Sequence, residues 1–243
     1  MNHVEAAFSA APVVPVLTIG DAGQAAQLAT VLAAADLTAV EVTLRTDAAL
    51  EAIENMKKAA PDLLVGAGTI LNPDDLESAL KAGSDFLVSP GLPAKLRDAV
   101  VANSTVMIPG VATPTEAMQR YDEGFEMLKL FPAGVVGGVA MLSALAGPLP
   151  QLRFMPTGGV SAGNLTDYIK LPNVAAVGGT WLAREADLDA GDWDGLRDVI
   201  LQNTGPNLSK LQKEGKFVRD PNLVMLQSDK NTKMTTKFIK FEK

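Results

Sequence analysis

The sequence predicts an α/β fold, and within that class a (β/α)8 TIM barrel with an N-terminal helix and a C-terminal extension. Short apolar runs recur every ~20–25 residues over most of the chain, and helical patterns separate them. Several of these runs are almost continuously hydrophobic, which is typical of parallel strands that are covered on both faces. The pattern repeats eight times, which is the number of β-then-α units that closes a barrel.

The predicted elements follow one another in a regular order. The strands are expected at residues 13–19, 39–44, 63–69, 86–90, 106–111, 126–132, 153–157 and 175–182. The helices between and after them are expected at residues 22–32, 48–59, 74–82, 94–101, 115–121, 138–146, 162–171 and 193–202. Several of these helices begin after residues that commonly cap a helix, namely Asp21, the pairs Asn72-Pro73 and Thr113-Pro114, and Ser161.

The main competitor to the barrel is an open doubly wound sheet. No predicted strand is followed by the G-x-G-x-x-G loop of that fold, and the loop at residues 66–69 has only its first two glycines. The eight units account for residues 1–202, which we take as one barrel domain. Residues 203–243 form a separate basic extension of unknown role, with strand-like stretches at residues 222–226 and 233–241.

Composition excludes several classes of protein. The chain has 243 residues, is 47% hydrophobic and can bury a large core. No apolar run reaches the roughly 20 residues of a membrane span, and no secretory signal is visible, so a cytoplasmic protein is expected. Cysteine is absent, and the single histidine, His3, lies near the N-terminus. A Ser-His-Asp triad and a histidine-bound catalytic zinc are therefore not expected, and we predict no metal.

Charge is divided unevenly along the chain. Residues 1–202 carry 12 basic and 24 acidic residues, whereas residues 203–243 carry 9 basic and 4 acidic residues. The acidic body argues against a nucleic-acid-binding surface. The basic extension has no dense cluster of Lys and Arg, so the simplest interpretation is a solvated appendage.

Lys129 is the first candidate functional residue. It stands in the sixth predicted strand, on the same face as the apolar Met127 and Phe131. An ammonium on such a face is costly to desolvate, so the uncharged amine becomes accessible, and that amine forms Schiff bases with carbonyl substrates. The alternative is a lysine whose stem is packed and whose ammonium lies in water.

The second predicted strand carries two further candidates. Alternation places Glu41, Thr43 and Arg45 on one face, with Val42 and Leu44 on the other. The apolar pair suits the side covered by helices, so the polar set is expected to face into the barrel. Glu41 and Arg45 are then either a structural ion pair or a site in which Glu41 transfers protons and Arg45 binds a substrate carboxylate.

Polar and turn residues follow several other strands at the end where barrel enzymes bind their substrates. Thr69 ends the third strand after two glycines, and Pro90 lies in the turn after the fourth. Simple turn chemistry explains both equally well. Glycine pairs follow the last two strands, which is the usual place of a phosphate site in barrels. These two segments are Thr157-Gly158-Gly159 and Gly178-Gly179-Thr180.

Six segments of the chain, in order, resemble one bacterial enzyme family, the 2-keto-3-deoxy-6-phosphogluconate (KDPG) aldolases that also act as 4-hydroxy-2-oxoglutarate (KHG) aldolases. The segments are EVTLRT at 41–46, GAGTILNP at 66–73, SPGL at 89–92, FEMLKLFPA at 125–133, PTGGV at 156–160 and GGTWL at 178–182. The resemblance runs from about residue 12 to residue 201. It implies a metal-independent Schiff-base lyase of the Entner–Doudoroff pathway, built as a barrel and usually homotrimeric, without a cofactor.

The resemblance also implies roles for individual residues. Lys129 would form the Schiff base and Glu41 would be the general acid and base. Arg45 and Thr69 would hold the pyruvyl carboxylate, and Pro90 and Phe131 would form walls around it. The pocket for the phosphorylated end would be built from Thr157, Gly158, Gly159, Gly178, Gly179 and Thr180.

Two positions depart from the family pattern. Gly134 stands where the family often has glutamate, and Thr180 where it commonly has serine.

Three other functions stay open. The alternatives are an aldolase for the galactonate epimer, a phosphate-binding barrel isomerase or synthase that forms no Schiff base, and a scaffold whose function lies in residues 203–243.

Overall fold

Parallel strands and helices alternate along this computed structural model, which describes the backbone of residues 3–213 and the side chains of residues 3–204. The strands are β1 Val13–Leu17, β2 Ala39–Thr43, β3 Leu64–Gly68, β4 Phe86–Val88, β5 Met107–Ile108, β6 Gly110–Val111, β7 Met127–Leu130, β8 Arg153–Phe154 and β9 Val177–Gly179. The helices are α1 His3–Ala10, α2 Ala25–Ala34, α3 Ala49–Ala59, α4 Pro73–Lys81, α5 Ala94–Asn103, α6 Pro114–Asp122, α7 Gly138–Ala146, α8 Leu165–Ile169, α9 Glu185–Asp189 and α10 Trp193–Lys213.

The strands curl into a closed barrel. One sheet has the order β5-β4-β3-β2-β1-β9, the other has the order β6-β7-β8, and every strand pair is parallel. Hydrogen bonds join the two sheets between β8 and β9, where the amide of Gly178 donates to Pro156 O at 2.9 Å. On the other side, β5 and β6 are the two halves of the fifth barrel strand. The predicted (β/α)8 fold is confirmed.

Pro109 divides the fifth strand into β5 and β6. Its carbonyl accepts a hydrogen bond of 2.9 Å from the amide of Lys129, but a proline has no N–H to donate to β7 in return. Below this point the two strands separate. A cavity of about 290 Å³ opens there, at the end of the barrel away from the carboxyl ends of the strands, and Met107 and Met127 are among its lining residues.

Helix α1 closes the amino-terminal end of the barrel. Val4 and Phe8 are fully buried, and the Phe8 ring meets the ring of Phe86 edge to face at 5.8 Å. Burial of a side chain such as Phe8 stabilises the fold by about 2–3 kcal/mol. The N-terminal helix is therefore confirmed, and His3 lies exposed at its start.

The predicted helices are confirmed, although several boundaries move. Capping explains the best-placed starts: Asn72 accepts from the Asp75 amide before α4, and Thr113 forms a reciprocal capping box with Glu116 before α6. Helix α8 is shorter than the predicted 162–171. Helix α9 was not predicted, because its five residues are too few to show a helical period.

Helix α10 continues past its predicted end at residue 202. It runs to Lys213, through Gly205 and Pro206. Leu196, Ile200 and Thr204 are spaced four residues apart and all are buried, on a helix that packs against α2 and α8. Burial of this face holds the helix against α2 and α8 as far as Thr204, and the helix continues through the glycine and proline although both residues usually favour a helix end.

The division at residue 202 therefore falls inside α10, and the barrel and the extension as separate domains stay a prediction. The strand-like stretches predicted at 222–226 and 233–241 lie outside the described residues. Among the residues that are described, no helix is both long enough and apolar enough to cross a membrane.

Candidate active site

Lys129 and Glu41 meet inside the barrel. Lys129 lies on β7 and Glu41 on β2, which are opposite walls of the closed ring. The Lys129 amine is 3.3 Å from Glu41 Oε1, and the two residues are 6% and 0% exposed. Residues 88 positions apart are brought together because the sheet closes. The sequence placed both side chains on the inner face, and the structure places them there.

The Lys129–Glu41 pair makes fewer hydrogen bonds than the Lys57–Asp85 ion pair elsewhere in the molecule. Asp85 accepts from the Lys57 amine at 2.7 and 2.8 Å and from the Val65 amide at 2.7 Å. Glu41, in contrast, has one long contact, and its Oε2 atom is buried with no hydrogen-bond partner among the described residues. A buried carboxylate oxygen without a partner is costly in a purely structural pair. We therefore interpret it as an acceptor for a water molecule or a substrate hydroxyl.

Gly68 provides the space for the Glu41 carboxylate. The two residues lie on adjacent strands, and a Cβ atom at position 68 would overlap Glu41 Oε1. Gly66 provides space for the Phe86 ring in the same way. Neither role was predicted from the sequence. A signal was present, because Gly66 and Gly68 alternate along β3 beside Glu41 on the neighbouring strand and so face the same side of the sheet.

Phe131 covers one side of the lysine amine. The amine of Lys129 lies 5.2 Å from the centroid of the Phe131 ring. An aromatic face at this distance attracts the ammonium form of the amine. The predicted shared face of these two residues is confirmed, and Met127 also faces the barrel interior below them.

Arg45 contacts Thr69 at the rim and does not pair with Glu41. Arg45 follows β2 and is exposed, and its Nε atom donates to Thr69 Oγ1 at 3.2 Å. Glu41 pairs with Lys129 instead, so the structural Glu41–Arg45 pair that the sequence left open is not formed. Thr69 has a φ of 62°, in the left-handed region that is rare for a β-branched residue. A rare backbone conformation at a rim position is a sign of a functional constraint.

The loop after β8 approaches the loop after β7. The amides of Ala133 and Gly134 donate to Thr157 O and Gly158 O, each at 2.8 Å. Gly158 and Gly159 have φ values of 88° and 81°, which only glycine adopts easily. A Cβ atom on Gly134 would stand 3.3 Å from the Cα of Gly159, so a small residue at position 134 suits this close approach.

The second glycine pair lies inside β9 and not beyond it. The amide of Gly178 is used in its bond to Pro156 O, and a Cβ atom there would overlap Thr157 Oγ1. A Cβ atom on Gly179 would overlap the ring of Trp181. These glycines are thus required for space, which the sequence did not indicate, and Thr180 lies exposed directly after the strand.

Pro90 lies at the same rim, beside the fifth strand. It is exposed, and its carbonyl approaches Gly110 so closely that a Cβ atom at position 110 would overlap it. Of the predicted site residues, Glu41, Lys129, Gly178 and Gly179 lie within their strands and the others lie in the segments that follow strands. Lys129, Glu41 and Phe131 form one contact group, and Arg45 and Thr69 form a second one.

This arrangement combines the groups needed for covalent chemistry on a carbonyl compound. A buried amine can act as a nucleophile, a carboxylate at 3.3 Å from it can exchange protons, and a guanidinium at the rim can bind an anion. The glycine-rich loop after β8, at Gly158 and Gly159, lets the backbone approach a second anion at the far side of the mouth.

Comparison with known proteins agrees with this site. The family model for KDPG and KHG aldolases matches residues 4–199. A 2-dehydro-3-deoxy-phosphogluconate aldolase of Pseudomonas aeruginosa is 46% identical over 183 residues, which are 75% of this chain and 83% of that protein.

Solved structures give the same result. The KDPG aldolase of Legionella pneumophila, captured with pyruvate as a covalent carbinolamine intermediate, has a TM-score of 0.80 and 37% identity and covers 84% of this chain and 98% of its own. The aldolase of Zymomonas mobilis with 3-phosphoglycerate has a TM-score of 0.77 and 38% identity, with coverage of 83% and 94%. The chain therefore belongs to the family of KDPG and KHG aldolases.

Proposed function

We propose that this chain is a class I aldolase, a lyase that cleaves 2-dehydro-3-deoxy-6-phosphogluconate into pyruvate and glyceraldehyde 3-phosphate. One observation carries the proposal: a buried lysine amine lies 3.3 Å from an incompletely bonded glutamate inside the barrel. The covalent pyruvate adduct of the Legionella pneumophila relative supports the same chemistry.

Lys129 is the proposed nucleophile. Its uncharged amine adds to the C2 ketone of the substrate to give a carbinolamine, and loss of water gives an iminium. The iminium accepts the electron pair of the C3–C4 bond when that bond breaks. Aldehyde is released, an enamine remains, and protonation at C3 followed by hydrolysis frees pyruvate and restores the amine.

Glu41 is the proposed proton carrier. Its Oε1 atom faces the amine, so it can accept and return protons while the carbinolamine forms and loses water. Its unpartnered Oε2 atom can hold the water molecule that takes the C4 hydroxyl proton. One buried carboxylate would thus serve both halves of the reaction.

The remaining site residues are proposed to bind the two ends of the substrate. Arg45 and Thr69 would bind the carboxylate of the pyruvyl half, between the walls formed by Pro90 and Phe131. The phosphate would lie against the loop of Thr157, Gly158 and Gly159 and against the end of β9, formed by Gly178 and Gly179 with Thr180 directly after it. The phosphorylated acid bound to the Zymomonas mobilis relative supports a site for such a group.

A second activity, cleavage of 4-hydroxy-2-oxoglutarate into pyruvate and glyoxylate, is proposed on the family description, which includes both substrates. Both substrates present the same 2-keto acid half to Lys129. We propose the gluconate epimer over the galactonate epimer as substrate, and a panel of the three substrates tests that choice.

We also propose, on the family resemblance, that the protein is cytoplasmic and forms a homotrimer. Light scattering of the purified chain measures the mass of the assembly and tests the trimer.

Borohydride reduction in the presence of pyruvate tests the covalent step. Reduction converts the iminium into a stable amine, and peptide mass spectrometry should locate the adduct on Lys129. Lys129→Met should abolish both the adduct and turnover, whereas Lys170→Met, which changes an exposed lysine on the outer surface, should leave both unchanged. Absence of an adduct in the unaltered chain would exclude the Schiff-base route and favour a barrel isomerase or synthase.

A further inference from the structure

The segment that carries Arg45 is tied to the end of β1 by two threonine hydroxyls. Thr43 Oγ1 donates to Leu17 O at 2.9 Å, and Thr46 Oγ1 donates to Ile19 O at 2.5 Å. The two threonines lie on either side of Arg45 along the chain. We call Thr43 and Thr46 the threonine clasp.

Thr18 extends the clasp. Its hydroxyl is 3.1 Å from that of Thr43. A threonine hydroxyl has one proton, and Thr43 uses its proton on Leu17 O, so Thr18 is the donor in this contact. Thr43 is 1% exposed, and its hydroxyl is therefore fully engaged in a buried position.

Arg45 itself has few fixed points. Its amide donates to Thr43 O at 2.8 Å, and its side chain is held at one atom, Nε, by Thr69 Oγ1. The side chain is exposed and has several rotatable bonds, so binding an anion requires ordering it. If the backbone at Arg45 is held in a fixed position, less of the side chain has to be ordered when the substrate binds.

We propose that Thr43 and Thr46 are positioning residues for Arg45. By fixing the chain on both sides of Arg45 to the end of β1, the clasp aims the guanidinium at the place where a substrate carboxylate binds. This inference rests on the proposed function, because it takes Arg45 as the carboxylate-binding residue. Neither threonine touches the reacting atoms in this assignment.

Valine substitutions remove the hydroxyls and keep the shape of the side chains. Thr46→Val and Thr43→Val should raise the pyruvate concentration for half-maximal borohydride trapping about three- to tenfold, the effect of losing one hydrogen bond. The adduct formed at saturating pyruvate and the kcat for cleavage should stay within about twofold, and Thr46→Ser should restore wild-type affinity. Thr38→Val is the matched control, because Thr38 Oγ1 donates to Ala7 O at 2.7 Å at the opposite end of β2.

A double-mutant cycle with Arg45→Ala separates positioning from general stability. If the clasp acts through Arg45, Thr46→Val should have no further effect on pyruvate affinity once Arg45 is removed. An equal loss of affinity in Thr38→Val, a loss that persists in the Arg45→Ala background, or unchanged affinity in both clasp variants would overturn the inference alone. If the unaltered chain forms no adduct, the proposed function fails and this inference fails with it.

Discussion

At the scale of residues, the proposed chemistry depends on what surrounds one lysine. Lys129 has an aromatic ring on one side and a carboxylate on the other. The ring belongs to Phe131, two residues along the chain, and the carboxylate belongs to Glu41, 88 residues away. The space for the carboxylate exists only because Gly68 has no side chain. The position of the Glu41 carboxylate therefore depends on the lack of a side chain at position 68.

Replacing Gly68 with alanine should damage catalysis more than stability. The new methyl group would overlap Glu41 Oε1 and force the carboxylate away from the Lys129 amine. A displacement of about 1 Å at a catalytic group can cost about a hundredfold in rate, and we expect kcat to fall by that order. Steady-state pyruvate release and thermal unfolding measure the two effects.

Gly147→Ala is the control for this substitution, because nothing lies within 4 Å of a Cβ atom at position 147. It should leave kcat unchanged. Full activity of Gly68→Ala would show that the carboxylate can move without consequence, and Glu41 would then lose its proposed role.

At the scale of elements, helix caps hold the outer layer in place. Glu116 accepts hydrogen bonds from the amides of Ala112 and Thr113 at 2.7 and 2.9 Å, and Thr113 Oγ1 accepts from the Glu116 amide. The bond from the Ala112 amide is the main reason why the pKa of Glu116 lies below the ordinary value of a glutamate. The helix that follows this cap, α6, lies on the outside of the barrel.

The charge on Glu116 should stabilise the fold only above the acid range. A carboxyl whose pKa is lower in the folded state stabilises that state above the pKa of the unfolded chain, about 4.3, and the effect is lost as pH falls through the folded value. Glu116→Gln should therefore lower the free energy of unfolding by about 0.5–1 kcal/mol at neutral pH. The difference from wild type should become smaller as pH falls below about 4 and should be lost once Glu116 is protonated in the folded state.

Urea unfolding across this pH range measures the effect. Glu77→Gln on α4 removes an exposed pair with Lys81, and it should change stability little at any pH. A difference between wild type and Glu116→Gln that stays constant with pH would show that the cap acts through its shape and not through its charge.

At the scale of the whole molecule, the barrel is closed at one end by α1 and open at the other, where the site residues meet. Helix α10 packs on the outside of this body and runs past residue 202. The buried Thr204, whose hydroxyl donates to Ile200 O at 2.8 Å, belongs to the packed face of that helix. The division of the chain at residue 202 is therefore less favourable for truncation than a division after Lys213.

Two truncations test this conclusion. A chain that ends after residue 213 should keep wild-type kcat and thermal stability. A chain that ends after residue 202 should lose about 1–3 kcal/mol, because Thr204 and the turn that follows it are removed from the packed helix. Loss of activity in the chain that ends after residue 213 would show that residues beyond 213 contribute to function, as the scaffold alternative requires.

Much of the fold could be predicted from the sequence, because it depends on local patterns. Hydrophobic runs fixed the order of strands and helices, and the pairs Asn72-Pro73 and Thr113-Pro114 marked two helix starts correctly. Strand alternation was sufficient to predict that the side chains of Glu41 and Lys129 point into the barrel. The short helix α9 and the end of α10 were missed, since the first has too few residues for a period and the glycine and proline at 205 and 206 predict an earlier end for the second.

The sequence by itself determined the barrel class, the inward direction of the candidate residues and the resemblance to one aldolase family. Only the tertiary structure decided that Lys129 meets Glu41, that Arg45 contacts Thr69 instead of Glu41, and that Gly68 and Gly178 serve to make space. The physical reason is that side-chain direction follows from the backbone of one strand, whereas a distance across the barrel depends on how all the strands close.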